Sequence, residues 1–446
     1  MPFALSHTLL FPFKTPLPLI KNNYLWSMTN KKRDMSWISQ PWRSSLHRKT
    51  NHILAKVIVS IFLVGISYRL FFSRSGSGAK LFVPTAEILS RNSTDEGKCN
   101  LFNGVWMPNP SGPPYTNSTC RFIEDHQNCL MNGRPDRGYL HWGWKPYQCD
   151  VPPFDPYLFL NAMQNKSWAF IGDSILRNQI QSFLCLLSKA EEPVELYHSS
   201  DFKSRMWQFQ KHNLTVSLIW TPFLVHADIF EDENGVSNAP IQLHLDILDH
   251  SWASTYSKFN YVVISGGQWF LKHAVYRENN SIVGCHYCPD KSYPELGYEI
   301  SYKKTLELVF RHITNLVGKH IPVVIFRTWT PSHFENGQWF DGGICNHTAP
   351  YKEGEFNGSY VDHVMREIEL REFEKAKKVM ESSGKPNYLK LFDTYELAVM
   401  RPDGHVGSYR RFHKDKKGKV QYDCLHWCVP GPIDAWNDII MEMVLK

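Results

Sequence analysis

No internal repeat and no extended low-complexity tract occurs in the 446 residues, which excludes a solenoid or fibrous architecture. No phosphate-binding glycine loop, dinucleotide fingerprint or metal-ligand cluster stands out, so the sequence gives no footing for nucleotide or metal chemistry and no metal is expected. Acidic residues are nearly missing from the first 80 positions, where Asp34 alone stands against twelve Lys/Arg. The net charge of +6 therefore comes from the N-terminal part, and the remainder is mildly acidic, which argues against a nucleic-acid partner. Long clean apolar runs are scarce as well. The opening from Phe3 to Ile20 is broken by prolines and Lys14 and makes a poor signal peptide, and Met28 or Met35 are alternative starts. The segment 53–72 is uninterrupted only from Val57 to Tyr68.

That segment still reaches across a bilayer if Lys56 and Arg69 snorkel to the two interfaces. Eight Lys/Arg precede it, against Arg69 at its end and Arg74 and Lys80 soon after, which orients the N-terminus to the cytosol and the body to the lumen. The expected organisation is a basic cytosolic tail (1–52), a single-pass signal anchor (53–72), a Ser/Gly-rich stem (73–98), a cysteine-rich subdomain (99–155) and an α/β domain (156–446). Ten cysteines suit disulfides. Seven Asn-x-Ser/Thr sequons, at Asn92, Asn117, Asn165, Asn213, Asn279, Asn346 and Asn357, all lie beyond residue 90, with Asn165 expected to be the least accessible. Both features suit an oxidising, glycosylating lumen. The region 99–155 shows little periodicity and is expected to wrap the core.

From Ser167 onward, near-continuous apolar strands at 168–171, 214–220, 261–265, 322–327 and 389–392 fit a parallel sheet covered on both faces. Helices are expected at 175–188, 299–317, 360–381 and 433–445. The first strand runs into Gly172-Asp173-Ser174 and then a helix. A serine on such a turn stands clear of the sheet beside the free N–H groups of a helix start, although capping alone also explains the tripeptide. Far downstream, Asp423 and His426 are spaced so that the carboxylate can hold Nδ1–H and leave Nε2 facing outward, as a serine nucleophile requires. Cys424 and Cys428 bracket the histidine; the competing zinc reading lacks a second ligand pair.

Gly172-Asp173-Ser174 with Arg177-Asn178-Gln179, and the distal Asp423-Cys424-Leu425-His426-Trp427-Cys428-Val429-Pro430-Gly431, resemble the two signature motifs of the plant trichome-birefringence-like proteins. These are Golgi polysaccharide O-acetyltransferases related to SGNH/GDSL esterases. The resemblance runs from Cys99 to the C-terminus. It includes Ser265-Gly266-Gly267-Gln268-Trp269-Phe270, Trp329-Thr330-Pro331-Ser332-His333-Phe334, Gly342-Gly343-Ile344-Cys345 and Arg401-Pro402-Asp403-Gly404-His405. It implies a three-layer α/β/α sandwich with a central parallel sheet and a triad of Ser174, His426 and Asp423. It also implies disulfides Cys99–Cys149, Cys120–Cys185, Cys129–Cys428 and Cys345–Cys424. Cys285 and Cys288 read as an extra short disulfide. The Gly-Gly-Gln-Trp-Phe block followed by this Cys-x-x-Cys is most similar to the xyloglucan- and mannan-acetylating branches.

The implied chemistry moves an acetyl group through an acetyl-serine to a sugar hydroxyl of a cell-wall polysaccharide. No bound cofactor is implied, only an acetyl donor as co-substrate, which proteins supplying acetyl donor to the Golgi would provide. Candidate oxyanion donors are the Ser174 N–H, a backbone N–H near Gly267, and the side chains of Arg177 and Asn178. Arg177 has a salt bridge to the last loop as its other reading. Trp269, Phe270, Trp329 and Trp339 are candidate sugar-stacking surfaces, at least half of them expected in the core. His333 and His405 are candidate substrate contacts on the resemblance. An acetylesterase would share the triad, and a non-catalytic glycan-binding protein is the third class.

Overall fold

The computed structural model describes residues 99–230, 239–318, 320–410 and 421–446, all within one compact unit, 95–446. The tail, anchor and stem segments and Asn92 lie outside the described residues. Among those described, no helix is long and apolar enough to cross a membrane.

In chain order, β1 (Gly104–Pro108) and β2 (Trp142–Pro146) form an antiparallel pair. The region that holds them has only a small cluster of its own, Cys129, Tyr139 and Leu140, which it shares with Val406 and Cys428. Trp106, Tyr115 and Trp144 join the single large core, and Trp106 Nε1–H donates to Leu397 O across 291 positions. It wraps the main domain. Helix α1 (Pro156–Ala162) precedes β3 (Ser167–Gly172) and α2 (Ser174–Leu187). Next come β4 (Val194–His198), β5 (Arg205–Phe209), β6 (Leu214–Trp220), β7 (Val225–Asp228) and β8 (Ile241–Leu248). A short helix α3 (His250–Ala253) leads to β9 (Tyr261–Ile264), β10 (Ala274–Glu278) and β11 (Ser281–His286). The remainder is α4 (Gly297–Thr314), β12 (Val323–Arg327), α5 (Tyr360–Ser382), β13 (Leu389–Phe392), α6 (Tyr395–Val399), β14 (His405–Gly407), β15 (Asp423–Trp427) and α7 (Asp434–Leu445).

The central sheet has the order β13-β12-β9-β3-β6-β5-β4. Its first five strands are parallel, whereas β5 pairs antiparallel to β6 and β4 antiparallel to β5. The expected all-parallel sheet is therefore mixed. Helix α2 crosses over to β4 at the edge of the sheet, and the chain then comes back antiparallel through β5 to β6. The edge strand β4, exposed along its whole length, carries no apolar run to announce it. A second sheet, β11-β10-β8-β7, was not expected either. Alternation of side chains along the parallel strands assigns the two faces. Trp168 and Phe170 meet Phe183 of α2, and Trp168 meets Phe159 of α1, on one side. Phe326 meets Phe310 of α4 and Phe373 of α5 on the other.

Candidate active site

β3 is a central strand, so its C-terminal end opens at the middle of the sheet edge, the position where α/β sheets present ligands. Gly172 closes it because nothing larger fits: a Cβ there would lie 2.1 Å from Ser265 O, on the turn that follows the neighbouring strand β9. Asp173 caps α2, accepting from the Ile175 N–H at 3.0 Å, and Ser174 is the first residue of that helix. Burial pushes the Asp173 carboxyl up, while the Arg327 guanidinium pulls it down.

Across from this turn, β15 delivers the other two groups. His426 Nε2 lies 2.8 Å from Ser174 Oγ. Its Nδ1 lies 2.9 Å from Asp423 Oδ2 and 3.0 Å from Oδ1. Asp423 is buried, and it also accepts from the His426 N–H at 3.0 Å and from Arg410 Nη1–H at 2.8 Å. Burial alone would raise this carboxyl. His426, Arg410 and the backbone donor outweigh it and hold the group far below the usual carboxylate range, so it is an anion at any working pH. The line Ser174–His426–Asp423 has the order of a nucleophile, base and base-orienting acid.

The backbone of β15 is fixed at nearly every residue. Asn178, on the helix that carries Ser174, accepts from Trp427 N–H at 2.7 Å and donates to Trp427 O at 3.2 Å. His333 N–H donates to Cys424 O at 2.9 Å. Disulfides Cys345–Cys424 and Cys129–Cys428 pin the two flanks. The other pairs are Cys99–Cys149, Cys120–Cys185 and Cys285–Cys288, leaving no free cysteine among the described residues. Asn178 is thus a clamp on β15, its side-chain oxygen and one amide hydrogen taken by Trp427. Asn178→Ala is expected to strip two buried backbone groups of their partner and cost about 2–4 kcal/mol, read as a lower denaturant midpoint with an unchanged slope.

Other expectations change place. Arg177 reaches Glu124 of the N-terminal region at 3.6 Å rather than the last loop, with its guanidinium over the Trp220 ring. Phe270 and Trp329 are buried in the core, so neither offers a stacking face. Trp329 Nε1–H donates to Asp362 at 2.7 Å. His333 and His405 are also buried and touch each other, Nδ1 to Nε2 at 2.6 Å. His333 Nε2 meets Val399 O, His405 Nδ1 meets His426 O, and the His405 ring stacks on Trp427. Burial pushes His333 down to about 4 and His405 well below the usual imidazole range. These two are buried struts behind β15 and not substrate contacts. Trp269 stays half-buried, edge-on to Trp220 and with Lys272 Nζ 3.8 Å over its ring. Trp339 is exposed.

Gly267 follows β9 in a left-handed conformation (φ +128°), and a Cβ there would press on the Trp329 ring at 3.0 Å. Asn165 sits exposed on a turn, against expectation, its amide bonded to that of Asn213. Three residues of weight at the site were not singled out in the sequence: Arg410, Tyr302 and Glu369. A second side-chain cluster, His226 and Asp228 on β7 with His244 on β8, has ligand atoms within 4.8 Å. Two of its members are half exposed, and Arg277 lies in register beside His244, so this is a surface group and no closed cradle.

Residues 151–443 match the PC-Esterase family, described as a GDSL/SGNH-like acyl-esterase family found in Pmr5 and Cas1p, and residues 97–150 match the PMR5 N-terminal domain. The chain is 48% identical to protein trichome birefringence-like 26 of Arabidopsis thaliana, over 88% of this chain and 87% of that one. It is 42% identical to xyloglucan O-acetyltransferase 1 of Arabidopsis thaliana, over 79% and 82%. It is 39% identical to xyloglucan O-acetyltransferase 4 of Populus trichocarpa, over 80% and 84%. With the strand–turn–helix serine facing a clamped Asp–His strand, these matches place the chain in the trichome birefringence-like family of PC-esterase proteins, to which it belongs across both of its matched domains.

Proposed function

We propose that the chain is a Golgi-membrane O-acetyltransferase, anchored by residues 53–72, that acetylates a neutral cell-wall polysaccharide, xyloglucan or mannan. The observation that carries the reading is the 2.8 Å approach of His426 Nε2 to Ser174 Oγ, with Asp423 fixed behind the ring. Ser174 Oγ attacks the acetyl carbonyl of the donor as His426 takes the hydroxyl proton. The donor group then leaves with that proton, and an acetyl-serine remains. A sugar hydroxyl enters, gives its proton to His426 and takes the acetyl, and the proton returns to Ser174. Asp423, kept ionised, stabilises the imidazolium in both halves. The Ser174 N–H and the Gly267 N–H are the candidate donors to the oxyanion.

The transferase reading over hydrolysis draws support from the xyloglucan O-acetyltransferases among the relatives. Trp220 and Trp269 stand at right angles at the same sheet edge, Trp220 in register with Gly172, and form the aromatic corner that would orient an acceptor against water. The luminal part, 81–446, incubated with an acetyl donor and deacetylated xyloglucan, glucomannan or xylan, is expected to add acetyl mass to one of the first two. Release of acetate from acetylated glycan with no transfer to any acceptor would make it an esterase. Binding of glycan without either reaction would make it non-catalytic.

A further inference from the structure

The Gly266–Gly267 peptide is held from behind by two side chains that the acetyl-transfer steps do not use. Tyr302 of α4 and Glu369 of α5 are both fully buried. Tyr302 Oη lies 3.1 Å from Gly266 O and 2.5 Å from Glu369 Oε1. Glu369 Oε2 accepts from the Trp329 N–H at 2.6 Å, which ties the loop after β12 to the same point.

A tyrosine hydroxyl has one hydrogen to donate, and here two oxygens face it. With Glu369 ionised, that hydrogen goes to the carboxylate and the Gly266 carbonyl loses its donor. With Glu369 protonated, its O–H donates to Tyr302 Oη, the Tyr302 hydrogen passes to Gly266 O, and every atom of the chain is satisfied. In a planar trans peptide, the carbonyl of one residue and the N–H of the next point in opposite directions. Holding the Gly266 oxygen toward the helices therefore turns the Gly267 N–H away from them. The Ser265 oxygen of this turn is the atom that leaves Gly172 no room for a Cβ, so it abuts the turn that carries Ser174.

We infer that Glu369, as a neutral acid, and Tyr302 are positioning residues that orient the Gly267 N–H as a donor to the developing oxyanion. The inference rests on the Ser174 mechanism above. The charges around the pair agree with it. Arg327, Asp393 and Tyr302 face Glu369, and Asp173 faces both Tyr302 and Arg327. Asp393 is paired with Arg366 at 2.6 Å, so Arg327 is the cation left to offset Asp173. A second anion at Glu369 would leave this buried group with an excess negative charge. Burial raises Glu369 to about 8, against the downward pull of Tyr302, the Trp329 N–H and Arg327, so it carries its proton at neutral pH.

The test is the pH dependence of kcat on a small aryl acetate, whose hydrolysis uses the same nucleophile without a glycan. The wild-type enzyme is expected to lose kcat on the alkaline side with a midpoint near the raised value of about 8 and little change in KM. Glu369→Gln keeps a permanent N–H toward Tyr302 and is expected to remove that limb while keeping neutral-pH kcat within a few fold. Tyr302→Phe is expected to lower kcat on the order of 100-fold at neutral pH and to lack the alkaline limb, with KM unchanged. Circular dichroism confirms that each variant is folded. An alkaline limb unchanged in folded Glu369→Gln, or wild-type kcat in Tyr302→Phe, overturns the inference. An active Ser174→Ala enzyme would instead overturn the mechanism on which it rests, a separate result on the same assay.

Discussion

Ser174→Ala is expected to abolish acetyl transfer, a fall in kcat of about a millionfold, by analogy with removal of a serine nucleophile that acts as a unit with its base. The neighbours predict a clean loss. Asp173 still caps α2 through its own side chain, and Asn178 still clamps Trp427, so neither the turn nor β15 depends on the hydroxyl. Glycan binding is expected to survive, whereas the acetyl-enzyme that mass spectrometry would trap in the wild type should be missing. Transfer at a wild-type rate would remove Ser174 from the mechanism altogether.

Asp423→Asn comes next in size, about 10⁴-fold in kcat with KM little changed. The carboxylate accepts at once from His426 Nδ1, two backbone N–H groups and Arg410. An amide offers one acceptor oxygen, and its NH₂ would face the ring or the guanidinium. The imidazole then loses both its fixed tautomer and the anion that stabilises its charged form. Because the native carboxyl titrates far below its ordinary value, the wild type should show no acid limb from Asp423 in the working range. A loss of only a few fold in folded Asp423→Asn would mean that His426 is oriented by something else.

The helices at 175–188, 299–317, 360–381 and 433–445 were legible from one apolar face, and the legible strands from apolar runs suited to the interior of a sheet. β3, β6, β9 and β12 read as largely hydrophobic runs and, with the short edge strand β13, form the five parallel strands of the sheet. The exposed β4 has no such signal, and the alternating β8 is covered on one face only. At the site, Gly172-Asp173-Ser174 and the Asp423/His426 spacing were legible because both are local. Glu369 was not, because it sits in Arg366-Glu367-Ile368-Glu369-Leu370-Arg371 on a long charged helix and looks like any solvated acid. Its burial is decided by Tyr302 and Trp329, which lie 67 and 40 positions away. Arg410 was hidden in the same way, at the head of a basic run that reads as surface. His333 and His405 show the opposite failure. Their motifs drew attention to them as contacts, and the structure spends both ring nitrogens of each on the inside.

The bond between Cys129 and Cys428 joins positions 299 apart. At a synthesis rate of about 5–20 residues per second, the first thiol waits roughly 15–60 s for its partner to be made. Cys99 and Cys120 are made before it and Cys149 soon after it, so the correct pairing is not the nearest one in time. The strand that bears His426 is therefore among the last pieces to be fastened. A nascent chain therefore holds Ser174 well before it holds His426, the base proposed for it.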